Sequence, residues 1–219
     1  MRDSTFTDRD VIKLSLDFEF VNLDSKEDSA LVSEYGVSAY PTVILFGSGG
    51  DEIDRIVGYL PPREFIKTVK SYLKGQGTLV DLEGKLEADP SNIQLLYQVG
   101  EKYEDRSRHE EALKHYQNLI SLDPKNNRGK TDSAMFRIAR VYRLQKENQT
   151  AIDKFKELIQ TFPESELRLD AEEYIPYLHS KMGDTTTALM LYQKLLIDYP
   201  DLEKEEKDWV EEEIKKLKE

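Results

Sequence analysis

Apolar residues are spaced differently in the two halves of this chain, and "GQGT" at 75–78 divides them. Before it, apolar runs are short, rich in β-branched residues and separated by turn signals. After it, they recur at intervals of three, four and seven, the signature of helices with one buried face. In the first half, "FTDRDVIKL" predicts a short helix to about Leu14, with Thr7 or Asp8 as N-cap. "FEFVNLD" (18–24) reads as a strand, and "KEDSALVSEYG" (26–36) as a helix closed by Gly36. "TVILF" (42–46) is a continuous apolar run, the pattern of a strand buried on both faces. "GSGGDE" (47–52) is a hairpin turn and "IDRIVGY" (53–59) the return strand. "PPREFIKTVKSYLK" (61–74) opens with prolines tolerated in a first turn and sets Phe65, Ile66, Val69 and Leu73 on one face.

In the second half, prolines at 90, 124, 163 and 200 are spaced by 34, 39 and 37 residues. Anchored on Pro124, one unit carries Leu96, Val99, Gly100, Tyr103, Ala112, Tyr116 and Leu119. Anchored on Pro163, the next carries Met135, Ile138, Ala139, Tyr142, Ala151, Phe155 and Leu158. Anchored on Pro200, a third carries Ile175, Ala188, Tyr192 and Leu195. Small residues let paired helices approach closely, and aromatic ones fill the gaps between pairs. This arrangement resembles the tetratricopeptide repeat. The third unit departs from it: Glu172 takes a large apolar position, and Pro176 takes a small one, removes a backbone donor and predicts a kink. "TLVDLEGKLEADP" (78–90) has only the second-helix spacing and is expected to pair with helix 61–74. "KEEKDWVEEEIKKLKE" (204–219) has Trp209, Val210, Ile214 and Leu217 on one stripe, as the polar cap of a repeat array does.

The first half, with its "VNLD" strand end, "YGVSAYPT" and the hairpin and helix that follow, resembles the thioredoxin fold with its beginning missing. The resemblance implies that Pro41 follows a cis bond and that the backbone of Tyr40 pairs with a bound peptide. The family's W-C-x-x-C lies upstream of its first helix, and Met1 fits the methionine that follows the second cysteine. The family strand between those matching 18–24 and 42–46 is then expected to precede Met1. Its loss would remove several core side chains, each worth about 1.5–3 kcal/mol, against a domain stability of about 5–15 kcal/mol. Three resolutions stay open. The chain is a fragment or a mis-started frame; 18–24 pairs directly with 42–46; or a partner adds a strand. A fourth reading makes 1–74 an unrelated small α/β unit.

Composition narrows the chemistry. A net charge of −12 argues against non-specific nucleic-acid binding and against docking on anionic lipid. The absence of cysteine removes thiolate nucleophiles, disulfides and thiolate metal sites. No apolar run reaches the roughly 18–20 residues of a membrane span. "MRDSTFTDRD" shows no signal-peptide core, which leans toward a cytoplasmic chain unless a leader lies upstream. His109, His115 and His179 share no ligand spacing and are expected at the surface, with no metal site. No phosphate loop, nucleophile elbow or EF-hand spacing occurs.

The remaining candidate site is the concave face that the tetratricopeptide resemblance implies. It selects Tyr97, Glu101, Phe136, Arg137, Arg140, Arg143 and Tyr177, with Glu104, Glu173 and Ser180 beside them. Tyr97 and Glu101 stand where some family members clamp a peptide carboxylate with Lys and Asn. Arg137, Arg140 and Arg143 form a basic strip suited to an acidic peptide; a plain solvated helix face is the competing reading. The fold expected is an incomplete α/β thioredoxin-like domain (1–74), a linker and first stacking helix (75–90), about three repeats of an all-α array (91–203) and a capping helix (204–219). The function expected is a protein-interaction scaffold whose thioredoxin-like part is redox-inactive as given, with a protein or peptide partner and no cofactor. The alternative is the C-terminal part of a thiol–disulfide oxidoreductase, with Tyr40 and Pro41 gripping the substrate backbone.

Overall fold

The computed structural model describes residues 1 and 4–219, which form two compact units, Met1–His115 and Tyr116–Glu219. In the first unit, α1 (Arg9–Ser15) begins where the Asp8 carboxylate accepts the N–H groups of Asp10 and Val11. Such a cap satisfies donors that the first turn leaves unpaired. α2 (Ser29–Glu34) is shorter than the sequence predicts; the chain turns through 25–28 before it starts. β1 (Thr42–Phe46) and β2 (Glu52–Val57) form an antiparallel hairpin, with an irregular register between Leu45 and Phe46. α3 (Pro62–Tyr72) lays Phe65 and Val69 against Val11, Leu45 and Ile56 to make the core of this part. α4 (Leu79–Ala88) is capped by the Thr78 hydroxyl, and α5 (Ile93–Glu104) by the Asn92 side chain. α4 packs principally along α5, not along α3 as its spacing suggested.

The strand expected at 18–24 does not form. The segment has no ladder, and Phe20, Val21 and Leu23 are exposed, Val21 at 72%. An extended segment needs a neighbour for its row of backbone donors and acceptors. Among the described residues β1 gives one edge to β2, and the sheet stops at two strands. The burial expected for "TVILF" fails for the same reason: only Leu45 is buried, and Phe46 is exposed. Leu73, expected on the buried face of 61–74, lies beyond the end of α3 and is exposed.

α6 (His109–Leu122) spans the boundary of the two units in sequence. The second unit continues with α7 (Thr131–Leu144), α8 (Asn148–Thr161), α9 (Arg168–Lys181), α10 (Thr185–Asp198) and α11 (Lys204–Lys216). Each packs on the next: α7 on α8, α8 on α9, α9 on α10, α10 on α11. Ala139, Ala151, Ala171 and Ala188 are fully buried, which brings the helix backbones close. Phe155, Leu158 and Leu178 fill the space between them. α9 runs through Pro176, which is buried within it, and Glu172 turns to Arg168 at 2.9 Å instead of entering the core. Val210 of α11 packs on Tyr192 and Leu195 of α10.

Candidate functional site

In the first unit the Tyr40–Pro41 peptide is cis and stands at the entry to β1. Pro41 is half-buried, while the Tyr40 side chain is 61% exposed. The Pro41 carbonyl accepts the Gly58 N–H at 2.8 Å, and the Thr42 hydroxyl donates to the Ala39 carbonyl at 2.7 Å. The loop leading to Tyr40 is pinned from two sides. Arg55 Nη1 donates to the Tyr35 carbonyl at 2.8 Å, and the Ser107 hydroxyl to the Gly36 carbonyl at 2.9 Å. Gly36 has a φ of +58°, and a β-carbon there would meet the Arg106 carbonyl oxygen at 2.5 Å. Only glycine accepts both conditions without strain.

Behind that loop lies an ionic cluster that pattern reading did not single out. Asp54 of β2 is fully buried and serves four donors. Its carboxylate accepts the N–H groups of Arg55 and Leu79, each at 2.7 Å. It also takes Lys102 Nζ at 2.9 Å and Arg106 Nη2 at 3.0 Å. Arg55, almost as deeply buried, is held by Glu52 through two nitrogens and donates to the Asp105 carbonyl at 3.1 Å. Charges this deep persist only when each is paired and hydrogen-bonded. The signal was present in "EIDRIV": alternation puts Ile53 and Arg55 on one face, and Asp54 and Ile56 on the other. Both faces are covered, so both charges are enclosed.

The predicted repeat-face residues fall in different units. Tyr97 and Glu101 lie half-buried on α5 in the first. Phe136, Arg137, Arg140 and Arg143 lie on α7 and Tyr177 on α9 in the second. Phe136 is only 9% exposed; its ring meets Phe155 at 5.4 Å and Tyr174 at 5.8 Å, so it belongs to the core. Arg137 and Arg140 are half-buried and hold partners. Arg143 lies over the Tyr174 ring at 5.4 Å, and Lys181 over Tyr177 at 5.0 Å. The two tyrosine rings meet edge to face at 6.4 Å. α7 and α9 therefore carry a row of aromatic rings lidded by cations. Tyr174 and Lys181 were not anticipated: Tyr174 sits beside a signature position, and Lys181 at a helix end.

The histidines are half-buried, not surface groups as expected. His115 stacks on Tyr103 at 5.5 Å, and His179 Nδ1 lies 3.1 Å from Asp184. Burial pushes His109 and His115 below the usual imidazole range. Burial, followed by the hydrogen bond to Glu83, raises the Tyr103 phenol to about 12. Among the described residues, no group of three or more His, Asp or Glu is placed to hold a metal ion. None of the helices is long and apolar enough to cross a membrane.

Two family models match the chain. Residues 1–73 match the family model of a thioredoxin-like domain, and residues 133–165 and 177–202 that of a tetratricopeptide repeat. Thioredoxin M-type, chloroplastic, from Chlamydomonas reinhardtii is 36% identical over 53 residues, 24% of this chain and 37% of that protein. Thioredoxin from Synechocystis sp. is 34% identical over 53 residues, 24% of this chain and 49% of that protein. The chain thus spans less than half the length of either relative. A crystal structure of TPR-like repeats from Podosopora anserina superposes with a TM-score of 0.54, covering 71% of this chain and 84% of the other. At 14% identity that likeness is one of fold. The chain carries a thioredoxin-like domain over residues 1–73, followed by tetratricopeptide repeats.

Proposed function

We propose that the chain is a protein-interaction scaffold whose repeats bind an acidic, extended peptide on the face formed by α7 and α9. The observation that carries this reading is the row of Tyr174 and Tyr177 under Arg143 and Lys181. Aromatic rings offer area at low entropy cost, and guanidinium groups fit carboxylates through paired donors. Arg137 and Arg140 extend the cationic strip; Tyr97 and Glu101 are the corresponding positions on α5, and Phe136 supports the face from below. The thioredoxin-like domain performs no dithiol exchange in this chain, because the attacking thiolate is absent. The proposed organisation is 1–74, a linker and stacking helix at 75–90, repeats over 91–203 and a cap at 204–219.

The test uses fluorescein-labelled extended peptides of one length, ranging from basic to acidic, titrated into the full chain. Acidic peptides should bind best and weaken as salt rises. Arg140→Glu should weaken them about tenfold, equivalent to about 1.4 kcal/mol. Equal affinity for basic and acidic peptides, or an Arg140→Glu chain that binds unchanged, would remove this reading. In an insulin-reduction assay the chain should show no turnover.

A second reading is favoured by the thioredoxins that match the first domain. In it, these residues are part of a thiol–disulfide oxidoreductase, and Tyr40 and Pro41 hold the substrate backbone. Codons for W-C-x-x-C in frame just upstream of Met1 would support it; an in-frame stop without them would leave the scaffold.

A further inference from the structure

β1 is paired along one side only. It runs antiparallel to β2, and among the described residues the sheet ends there. The Gly58 N–H donates to the Pro41 carbonyl at 2.8 Å, and the next residues in register are Thr42 and Val57. In an antiparallel ladder, residues that bond the partner strand alternate with residues whose N–H and C=O point away. Val43 and Leu45 therefore face β2, and Thr42, Ile44 and Phe46 turn their backbone groups to the open side. Segment 18–24 of the same unit forms no ladder with them. Such a row of donors and acceptors is a template for another strand.

Sheet edges are commonly guarded by charge, by proline or by a bulge. β1 has none of these along its length. Thr42–Phe46 contains no charged residue and no proline. The register irregularity falls on β2, where Ile53 has no opposite residue. Glu52, Asp54 and Arg55 are also on β2. Phe46, at the end of β1, is 40% exposed. Charge selects the occupant. The chain carries −12, so its surface in general repels a second copy. The β1 edge presents no charge to repel one, and an uncharged apolar strand is complementary to itself.

We propose that the open edge of β1 is a self-association site, where two copies of the chain pair β1 to β1, antiparallel, about Ile44. That register sets Ile44 opposite its own counterpart and Thr42 opposite Phe46 of the second copy. The outward donors of each copy then meet the outward acceptors of the other, and no like charges come together. A two-fold pairing of this kind is closed, so assembly stops at the dimer.

The experiment is sedimentation of the full chain from about 1 μM to about 1 mM, the span of weak association. A monomer–dimer equilibrium is expected. In the same range, amide exchange read residue by residue should slow at Thr42, Ile44 and Phe46 as concentration rises, with Val43 and Leu45 unchanged. Ile44→Pro removes an outward donor and none of the β1–β2 bonds, and should weaken the dimer at least about tenfold. Phe46→Lys, at an exposed position, adds an edge charge and should act in the same direction; it decides if Ile44→Pro fails to fold. A chain that stays monomeric throughout would overturn self-pairing and leave the edge to a different chain. So would a dimer that both folded variants leave unchanged, or one that slows exchange at 18–24 and not at β1.

Discussion

Asp54 shows how one side chain can organise a domain. It joins a β2 residue to the start of α4 and to two cations on and just beyond α5. Removing it takes an acceptor from Lys102, Arg106 and two backbone N–H groups in a buried setting. Asp54→Ala should therefore cost about 3–5 kcal/mol in urea unfolding. Asp54→Asn, which keeps one oxygen and the shape, should cost less. Gly36→Ala meets two penalties at once, the left-handed backbone and the Arg106 carbonyl, and should lose about 1–3 kcal/mol. Glu173 acts in the opposite sense from a paired acid. The folded chain holds its proton to about 7, against an ordinary 4.5. Its contribution to stability is thus full below about 4.5 and is lost as pH rises through about 7. The change is on the order of 1–3 kcal/mol for a half-buried group. Glu173→Gln should match the unaltered chain in urea unfolding at low pH and exceed it above neutrality.

At the scale of elements, the helices follow local chemistry. Asp8, one of the two caps read from the sequence, caps α1, and the repeat residues Ala112, Tyr116, Ala139, Ala151, Phe155, Ala188 and Tyr192 are all fully buried. These were legible because a helix satisfies its own backbone, and its spacing alone identifies its face. The strands were legible only in part. "TVILF" and "EIDRIV" found each other across a short turn, whereas "FEFVNLD" has the right residues but pairs with no strand among the described residues. Strand formation depends on a partner that local pattern does not contain. Val21→Ser tests this directly. At an exposed, unpaired position it should change stability by less than about 0.5 kcal/mol. A loss of about 1.5–3 kcal/mol would mark Val21 as a buried strand residue after all. The candidate site was legible as cations, since Arg137, Arg140 and Arg143 are spaced by three on α7. Tyr174 was not, because the stacking that gives it meaning joins α7, α8 and α9; Lys181 meets Tyr177 within α9 itself.

At the scale of the whole molecule, a chain of net charge −12 keeps a local cationic row on α7 and α9. The acidic partner we propose would approach that row against the overall field, so its recognition would depend on short-range contacts with the rings and guanidinium groups and not on steering. The most direct measurement is hydrogen exchange on the full chain, with and without the tightest acidic peptide from the titration. The account predicts slowed exchange in α7 and α9 on binding. Protection confined to Met1–His115, with α7 and α9 unchanged, would contradict it.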